Sequence, residues 1–160
     1  MEEIDFASNM QPVQSVAIIG AGNMGSGIAQ KTAQEEFDVQ MVDREPQWVE
    51  RGQTIIADFL SEAVERRIFS PEHVEQIKSR ITGVVGTENT ASDTDLVIEA
   101  VFEDFDIKSA VFNTLNEVCG ENTILASNTS SLSVNELALA SGRPDRFVGL
   151  HFFYHPAKNR

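Results

Sequence analysis

Short apolar runs alternate with stretches of helical spacing along most of the chain. Residues 15–19 and 39–43 are apolar and short enough to be buried strands. Residues 24–35 between them have helical spacing, with Ile28 and Ala33 on one face. A strand, a helix and a second strand within about thirty residues have the size expected of a right-handed crossover between parallel strands.

The same alternation continues to residue 150. Further helices are predicted at residues 46–67, 70–78, 107–119 and 133–140, and further strands at 81–85, 95–100, 123–126 and 147–150. The first two of these helices form a helical hairpin inserted after strand two, and Ser70 and Pro71 mark the start of its second helix. In the helix at 107–119, Val111, Leu115 and Val118 are predicted to face inward. Strands that alternate with helices indicate an α/β fold with a doubly wound, mostly parallel sheet.

A glycine motif connects the first strand to the first helix. Residues 20–25 (GAGNMG) match the pattern G-x-G-x-x-G in the strand–turn–helix context that a dinucleotide site requires. Gly20 permits the tight turn, Gly22 lets a pyrophosphate approach the backbone, and Gly25 lets the helix pack closely on the strand. Free N–H groups at the helix start, around Asn23 and Met24, are expected to bind the pyrophosphate. The motif therefore predicts a Rossmann-type domain.

The second strand ends in a carboxylate that indicates which dinucleotide is bound. Asp43 lies 18 residues after Gly25, where an acidic side chain accepts hydrogen bonds from the adenosine ribose. A carboxylate there repels a 2′-phosphate, so we predict NAD as the cofactor. The neighbouring Arg44 leaves NADP open, because arginine binds that phosphate. The alternative is a glycine turn that serves packing alone, beside a surface aspartate.

Composition narrows the range of partners. The chain has 160 residues, 41% of them hydrophobic, which suits one globular domain; we place it at residues 15–160, after a flexible leader at 1–14. A net charge of −13 disfavours nucleic acid as a partner. The acidity fits either a salt-rich cytoplasm or an ordinary acidic protein. Apolar runs fall short of the ~20 residues that span a bilayer, so we expect a cytoplasmic protein without membrane contact.

Reactive side chains outside these motifs have ordinary interpretations. Cys119 is the single cysteine, so an intrachain disulfide is excluded, and we interpret it as a buried structural thiol. His73 and His155 are interpreted as structural, since no motif includes them. The chain has no Cys/His cluster with metal-ligand spacing, so no metal is expected.

Four segments together resemble the NAD-binding domain of the L-3-hydroxyacyl-CoA dehydrogenases. These are residues 16–25 (VAIIGAGNMG), 95–103 (DLVIEAVFE), 128–132 (NTSSL) and 146–153 (RFVGLHFF), in the family's order and spread over nearly the whole chain from Val13 onward. The second pair is more specific than the glycine motif. The resemblance implies NAD-dependent oxidation of a (S)-3-hydroxyacyl-CoA to the 3-oxoacyl-CoA, in fatty-acid or butyrate-type metabolism.

The resemblance also implies roles for individual residues. His151 matches the family's catalytic base, and histidine suits a proton transfer near neutral pH. Ser130 matches a serine that hydrogen-bonds the substrate oxygen, and Asn128 an asparagine near the reacting carbon, although both residue types also favour turns. Glu103 and Lys108 match residues on the nicotinamide side of the cofactor. A helix cap or a surface charge is the alternative for this pair.

Other features follow the family less closely or remain open. The hairpin at 46–78 corresponds to an insert that contacts acyl-CoA, where Arg51, Arg66 and Arg67 either meet CoA phosphates or form a solvated face. Tyr154 stands where many relatives have Asn. A glutamate that orients the family's histidine would lie beyond Arg160, as would the helical second domain that forms its homodimer. We therefore expect this chain alone to bind NAD and to turn over poorly.

Two further functions compete with this one. A relative that acts on a hydroxy acid without CoA, such as an L-gulonate-type dehydrogenase, would use the same cofactor site. A non-catalytic NAD-binding or redox-sensing module would need the glycine turn but neither His151 nor Ser130. The presence of both residues in family motifs favours an enzyme. Acyl-chain length, reaction direction and membership of a multifunctional chain are not determined by the sequence.

Overall fold

The computed structural model describes residues 12–158, and within them a single sheet carries the fold. Six strands, all parallel, lie in the order β3-β2-β1-β4-β5-β6. The strands are β1 (Ser15–Ile19), β2 (Asp38–Asp43), β3 (Ile81–Val85), β4 (Leu96–Glu99), β5 (Ile124–Ser127) and β6 (Phe147–Gly149). This order confirms the predicted doubly wound Rossmann fold.

Five α-helices connect the strands. They are α1 (Asn23–Gln34), α2 (Pro46–Glu65), α3 (Pro71–Ser79), α4 (Phe105–Val118) and α5 (Val134–Ala140). Single turns of 3₁₀ helix lie at Thr87–Asn89, Pro144–Arg146 and Pro156–Lys158. Helices α2 and α3 both lie between β2 and β3, which confirms the hairpin insert. Ser70 caps α3 by accepting a hydrogen bond from the backbone N–H of His73.

The core has one layer on each face of the sheet. On one face Ile18, Met41 and Ile98 pack with α1, α2 and α3 through residues such as Ile28 and Ile77. On the other face Ala17, Val42 and Val97 pack with α4 and α5 through Phe112, Leu115 and Leu137. The strands of a parallel sheet covered on both sides are apolar throughout, which is why the sequence shows runs rather than alternation.

The inward face of α4 is wider than predicted. The predicted residues Val111, Leu115 and Val118 all pack against the core, and Leu115 is fully buried. Lys108 and Phe112 are also buried, and neither was predicted to be. The helix begins at Phe105, earlier than predicted, because the Asp104 side chain accepts a hydrogen bond from the N–H of Ile107.

Cys119 ends α4 as a buried free thiol, which confirms its structural interpretation. Burial raises the pKa of this thiol against the opposing charge of Arg143. Of the predicted leader, residues 1–11 lie outside the described part of the chain. Gln14, just before β1, donates its N–H to the carboxylate of Asp95 at 2.9 Å. Across residues 12–158, no helix combines the length and apolarity needed to cross a membrane.

The strand order places a switch point between β1 and β4. Connections from these two neighbours run in opposite directions along the sheet, so a crevice opens at their carboxyl ends. Ile19 of β1 pairs with Glu99 of β4 at this edge. The glycine turn follows the first strand, and the segment with Glu103 follows the second.

Candidate functional site

The glycine turn is held by contacts that exclude side chains at two positions. Gly20 has a positive φ of 105°, and a Cβ there would lie 2.7 Å from the carbonyl oxygen of Ala100. A Cβ on Gly25 would lie 1.6 Å from the carbonyl oxygen of Gly20, so the first turn of α1 packs directly on the turn before it. These two glycines are therefore required by packing within the chain itself.

Gly22 differs from the other two glycines because a Cβ on it would meet nothing within 4 Å. It is the N-cap of α1, and no side chain caps the helix there. The N–H groups of a helix's first turn have no partners within the helix, and the helix dipole makes this end positive. Open space above an uncapped helix start fits a pyrophosphate, so the turn fits the expected dinucleotide.

Asp43 is fixed beside this turn. One carboxylate oxygen accepts a hydrogen bond from the N–H of Ala21 at 2.8 Å, and the other accepts one from the N–H of Arg44 at 2.8 Å. The end of β2 is thereby tied to the glycine turn. The carboxylate adds negative charge at the position where the sequence places the adenosine ribose. The Arg44 side chain is 76% exposed and points its charge toward Glu45, at 3.6 Å.

A cleft of about 300 Å³ brings together most of the other predicted site residues. Its lining includes Met24 from the head of α1, Glu103, Lys108, Asn128, Ser130 and His151. Asp43 lies on the other side of the glycine turn, outside this lining. The cleft occupies the carboxyl ends of β1, β4, β5 and β6, where ligands bind in doubly wound sheets. Residues from four separate sequence segments therefore face one space.

His151 lies in this cleft, on a segment that Asn128 holds in place. Its ring is exposed and lies 5.1 Å from the ring of Phe153. The Asn128 side-chain oxygen accepts a hydrogen bond from the N–H of Phe152 at 2.7 Å, and the Asn128 N–H donates to the Glu99 carbonyl at 2.8 Å. Asn128 thus connects the end of β4 to the residue next to His151. Tyr154, 74% exposed, lines the same cleft.

Ser130 lies in a loop gathered around one carboxylate. One oxygen of Glu103 accepts hydrogen bonds from the N–H of Ser130 at 2.9 Å and of Ser131 at 3.1 Å, and from the hydroxyl of Thr129. Ser130 itself is exposed and lines the cleft. Burial raises the pKa of the Glu103 carboxyl, but hydrogen bonds from Thr129 and Lys108, the Lys108 charge and the Ser130 amide outweigh it and lower that pKa to about 2. Glu103 is therefore ionised at neutral pH.

Lys108 is neither a helix cap nor a surface charge. Asp104 caps α4, and the Lys108 side chain is 1% exposed. Its ammonium lies 2.6 Å from a carboxylate oxygen of Glu99 and 3.2 Å from one of Glu103. Its remaining contact is the Val101 carbonyl at 3.4 Å. The lysine joins two carboxylates beneath the cleft.

Sequence reasoning assigned no role to Glu99 or Ser127, the two residues at the base of this network. Glu99 is fully buried at the end of β4, and Ser127 is fully buried at the end of β5. A charged residue at the end of the apolar run Leu96-Val97-Ile98 was the available signal, because a buried charge requires a partner. That partner is Lys108, nine residues later on α4, and the pattern of the sequence does not indicate that the two side chains meet.

The remaining candidates lie apart from the cleft. Arg51, Arg66 and Arg67 are exposed on or just after α2; Arg66 pairs with Glu62 at 2.5 Å, and Arg51 lies over the ring of Trp48. The His73 ring packs against Phe69. His155 is buried, with its ring centroid 4.2 Å from that of Phe59. These contacts are consistent with structural roles for both histidines.

Comparisons with known proteins agree with the geometry. A family model described as "3-hydroxyacyl-CoA dehydrogenase, NAD binding domain" matches residues 15–159. A "Probable 3-hydroxybutyryl-CoA dehydrogenase" of Bacillus subtilis (strain 168) is 39% identical over 140 residues, which make up 88% of this chain and 48% of that protein. The chain thus spans about half the length of this relative.

Solved structures give the same result. The (S)-3-hydroxybutyryl-CoA dehydrogenase of Ralstonia eutropha aligns with a TM-score of 0.85 at 37% identity, over 89% of this chain and 50% of that one. A diketoreductase, described as catalysing reactions of dicarbonyl compounds, aligns with a TM-score of 0.87 at 29% identity, over 94% of this chain and 53% of that one. The chain therefore belongs to the 3-hydroxyacyl-CoA dehydrogenase family and corresponds to the NAD-binding domain of its members.

Proposed function

We propose that this chain is the cofactor-binding part of an enzyme that oxidises (S)-3-hydroxyacyl-CoA to 3-oxoacyl-CoA. In the reverse direction the same enzyme would reduce the 3-oxoacyl-CoA. The observation that carries the proposal is the convergence of His151, Ser130 and Asn128 in one cleft beside the glycine turn. A binding module would need the turn alone. A dehydrogenase also needs a proton acceptor and a hydroxyl donor within the same space.

The residues of the cleft divide the reaction between them. When bound, NAD would supply the nicotinamide ring that accepts the hydride from carbon three of the substrate. His151 takes the proton of the 3-hydroxyl group during oxidation and returns it during reduction. The Ser130 hydroxyl donates a hydrogen bond to the same substrate oxygen, which stabilises its developing negative charge. Asn128 holds the segment that carries His151 through its bond to Phe152.

The cofactor site is proposed to include both sides of the glycine turn. Gly20 and Gly25 shape the turn, and Gly22, Asn23 and Met24 present its open helix start to the pyrophosphate. Asp43 would accept hydrogen bonds from the adenosine ribose and disfavour NADP. Glu103 and Lys108 would lie at the nicotinamide end of the cofactor, and their presence in the lining of the cleft supports this assignment.

Partners beyond the cofactor are also proposals. The names of the relatives point to an acyl-CoA substrate, and the hairpin formed by α2 and α3 is the surface proposed to contact it. A homodimer through a further domain and a cytoplasmic location are expected from the resemblance and the composition. Size-exclusion chromatography with light scattering, and localisation of the tagged protein, test these two points.

The decisive experiment follows NADH oxidation by the full natural chain with acetoacetyl-CoA. Rapid loss of NADH that depends on the CoA moiety is the expected result, with free acetoacetate and NADPH reacting much more slowly. If NADH binds but acyl-CoA substrates of every tested length fail to react, the cofactor site stands and the dehydrogenase proposal fails.

A CoA-independent dehydrogenase is the second candidate function. The likeness to a diketoreductase, a protein described as acting on dicarbonyl compounds, favours it. Reduction of free dicarbonyl compounds or hydroxy acids at rates equal to or above those of their CoA thioesters would establish this alternative. His151 and Ser130 would keep the same tasks, since both reactions interconvert an alcohol and a ketone.

A further inference from the structure

A fully buried carboxylate beneath the cleft has no task in the proposed reaction. Glu99 is 0% exposed, at the last position of β4. A buried ion pair adds little net stability compared with apolar side chains of similar volume, while an unpaired buried charge is costly. Stability alone therefore gives no reason for a carboxylate at this position. Its contacts indicate what it does.

The two oxygens of Glu99 begin two separate chains of hydrogen bonds. Oε1 accepts from the Lys108 ammonium at 2.6 Å and from the N–H of Val101 at 2.7 Å. Oε2 accepts from the Ser127 hydroxyl at 2.7 Å. One carboxylate thus connects α4, the segment after β4 and the end of β5.

Both chains lead to the loop at residues 128–132, called here the Ser130 loop. Through Lys108 the first reaches Glu103, whose carboxylate binds the N–H groups of Ser130 and Ser131. The second passes through the Ser127 oxygen, which accepts the N–H of Thr129 at 3.2 Å. Three consecutive amides of the Ser130 loop therefore depend on groups that Glu99 holds.

We infer that Glu99 is a positioning residue, which fixes Lys108 and Ser127 so that the Ser130 loop presents the Ser130 hydroxyl to the substrate oxygen. The role of that hydroxyl rests on the proposed function, whereas the anchoring of the loop does not. Two carboxylates share one ammonium here. If Glu99 loses its charge, the ammonium pairs with Glu103 alone and competes with the loop amides for the Glu103 oxygens.

The test replaces Glu99 with Gln in the full natural chain. Val39→Ala is the matched control, because Val39 is 2% exposed near the amino end of β2, and its loss opens a cavity at the opposite end of the sheet from the cleft. Hydrogen exchange measured by mass spectrometry reports on the amides of the Ser130 loop. We expect these amides to exchange about tenfold faster or more in Glu99→Gln, and at wild-type rates in Val39→Ala.

Kinetics of the same variants give the second readout. Displacement of a substrate-binding group by about 1 Å costs on the order of 10²-fold in rate, so kcat of Glu99→Gln should fall by about that factor. KM for acetoacetyl-CoA should stay within about threefold, and the Kd for NADH, measured by fluorescence, should change far less than kcat, since the glycine turn is untouched. Val39→Ala should retain kcat even where its melting temperature falls as far as that of Glu99→Gln.

Each outcome separates the two proposals. Unchanged exchange in the Ser130 loop, or changes in exchange and kcat no larger than those of Val39→Ala, overturns the positioning role. Faster exchange in a protein whose wild type lacks dehydrogenase activity supports the positioning role and rejects the proposed reaction. If Glu99→Gln fails to fold, Ser127→Ala replaces it, because this variant breaks one chain and leaves the ion pair intact. A Ser130 loop unaffected by Ser127→Ala overturns the inference.

Discussion

The two sides of the crevice are built in opposite ways. On the β1–β2 side, the glycine turn forms a site from backbone groups and from the lack of side chains at Gly20, Gly22 and Gly25. On the β4–β6 side, the cleft is formed by residues from three segments that are distant in sequence, and the buried charges of Glu99 and Lys108 lie beneath it. The glycine turn should be disrupted by substitutions that add atoms. The cleft should be disrupted by substitutions that remove charges or hydrogen bonds.

This difference shows which parts of the sequence determine cofactor binding and which determine the reaction. A backbone site is encoded within a few consecutive residues, so it is carried by local sequence and is shared by many dinucleotide-binding proteins. A side-chain site is encoded in the packing of the whole domain, so it defines the particular reaction. Substitutions on the two sides should therefore separate cofactor binding from turnover.

The largest effect is expected on the backbone side, from Gly25→Ala. The added Cβ would lie 1.6 Å from the Gly20 carbonyl oxygen, and neither backbone segment has room to move without disrupting the turn. We expect a loss of about 3 kcal/mol or more in unfolding free energy and loss of NADH binding. Urea unfolding and fluorescence titration with NADH measure both.

Gly22→Ala is the matched control for this prediction. Its Cβ meets nothing within 4 Å, and its φ of −73° suits alanine, so stability should stay within about 0.5 kcal/mol of wild type. NADH binding should nevertheless weaken, because the methyl group enters the space proposed for the pyrophosphate. Equal stability losses in the two variants would contradict the division between packing and binding glycines.

The next largest effect is expected on the side-chain side, from His151→Ala. The His151 side chain is exposed in the cleft, so its removal should leave stability and NADH affinity nearly unchanged. Loss of the base should lower kcat by about 10²- to 10⁴-fold. Steady-state assays with acetoacetyl-CoA check this. Leu139→Ala, which changes an exposed residue of α5 outside the cleft lining, should retain full activity. Retained turnover in His151→Ala would assign the proton transfer to another group.

The contrast between the two sides also explains what sequence could predict. The doubly wound parallel sheet, the hairpin insert and the glycine turn follow from local patterns and short motifs, and the structure confirms them. The grouping of His151 with Asn128 and Ser130 came from resemblance, since His151 lies in a separate segment from the other two. Glu99 and Ser127 were missed because their contacts span long stretches of sequence. The burial of Lys108 in α4 was also missed, because sequence patterns place charged residues at the surface.

A smaller effect should follow a change at Asp43, on the backbone side. Asp43→Asn keeps an oxygen that accepts the Ala21 N–H but removes the charge that would repel a 2′-phosphate. We expect the ratio of the NADPH to the NADH dissociation constant to fall by about tenfold. Fluorescence titrations with both cofactors measure it. Arg44→Ala is the control; a further loss of NADPH affinity in Asp43→Asn/Arg44→Ala would show that arginine binds that phosphate.

The smallest effect is a pH dependence on the side-chain side. The pKa of Glu103 is lowered from 4.5 to about 2, so its ionised form stabilises the folded chain at every pH above about 4.5, and this contribution is lost as the pH falls from there toward 2. Because the side chain is 36% exposed and screened by solvent, we expect at most about 1 kcal/mol. The difference in unfolding free energy between wild type and Glu103→Gln should therefore shrink by about half between pH 7 and pH 3.

A second variant separates this charge effect from a general loss of packing. Thr129→Val removes the hydroxyl that donates to Glu103 while keeping the side-chain volume, so the pKa of Glu103 should rise toward its ordinary value. The acid-dependent loss of stability should then be smaller than in wild type, even though Thr129→Val is itself less stable because Leu132 loses its acceptor. Parallel pH profiles in wild type, Glu103→Gln and Thr129→Val would mean that the Ser130 loop does not hold Glu103 in its ionised form. The contacts among Glu99, Lys108, Glu103 and the Ser130 loop would then stabilise the fold through packing and not through charge. The two sides of the crevice would then no longer differ in their dependence on charge.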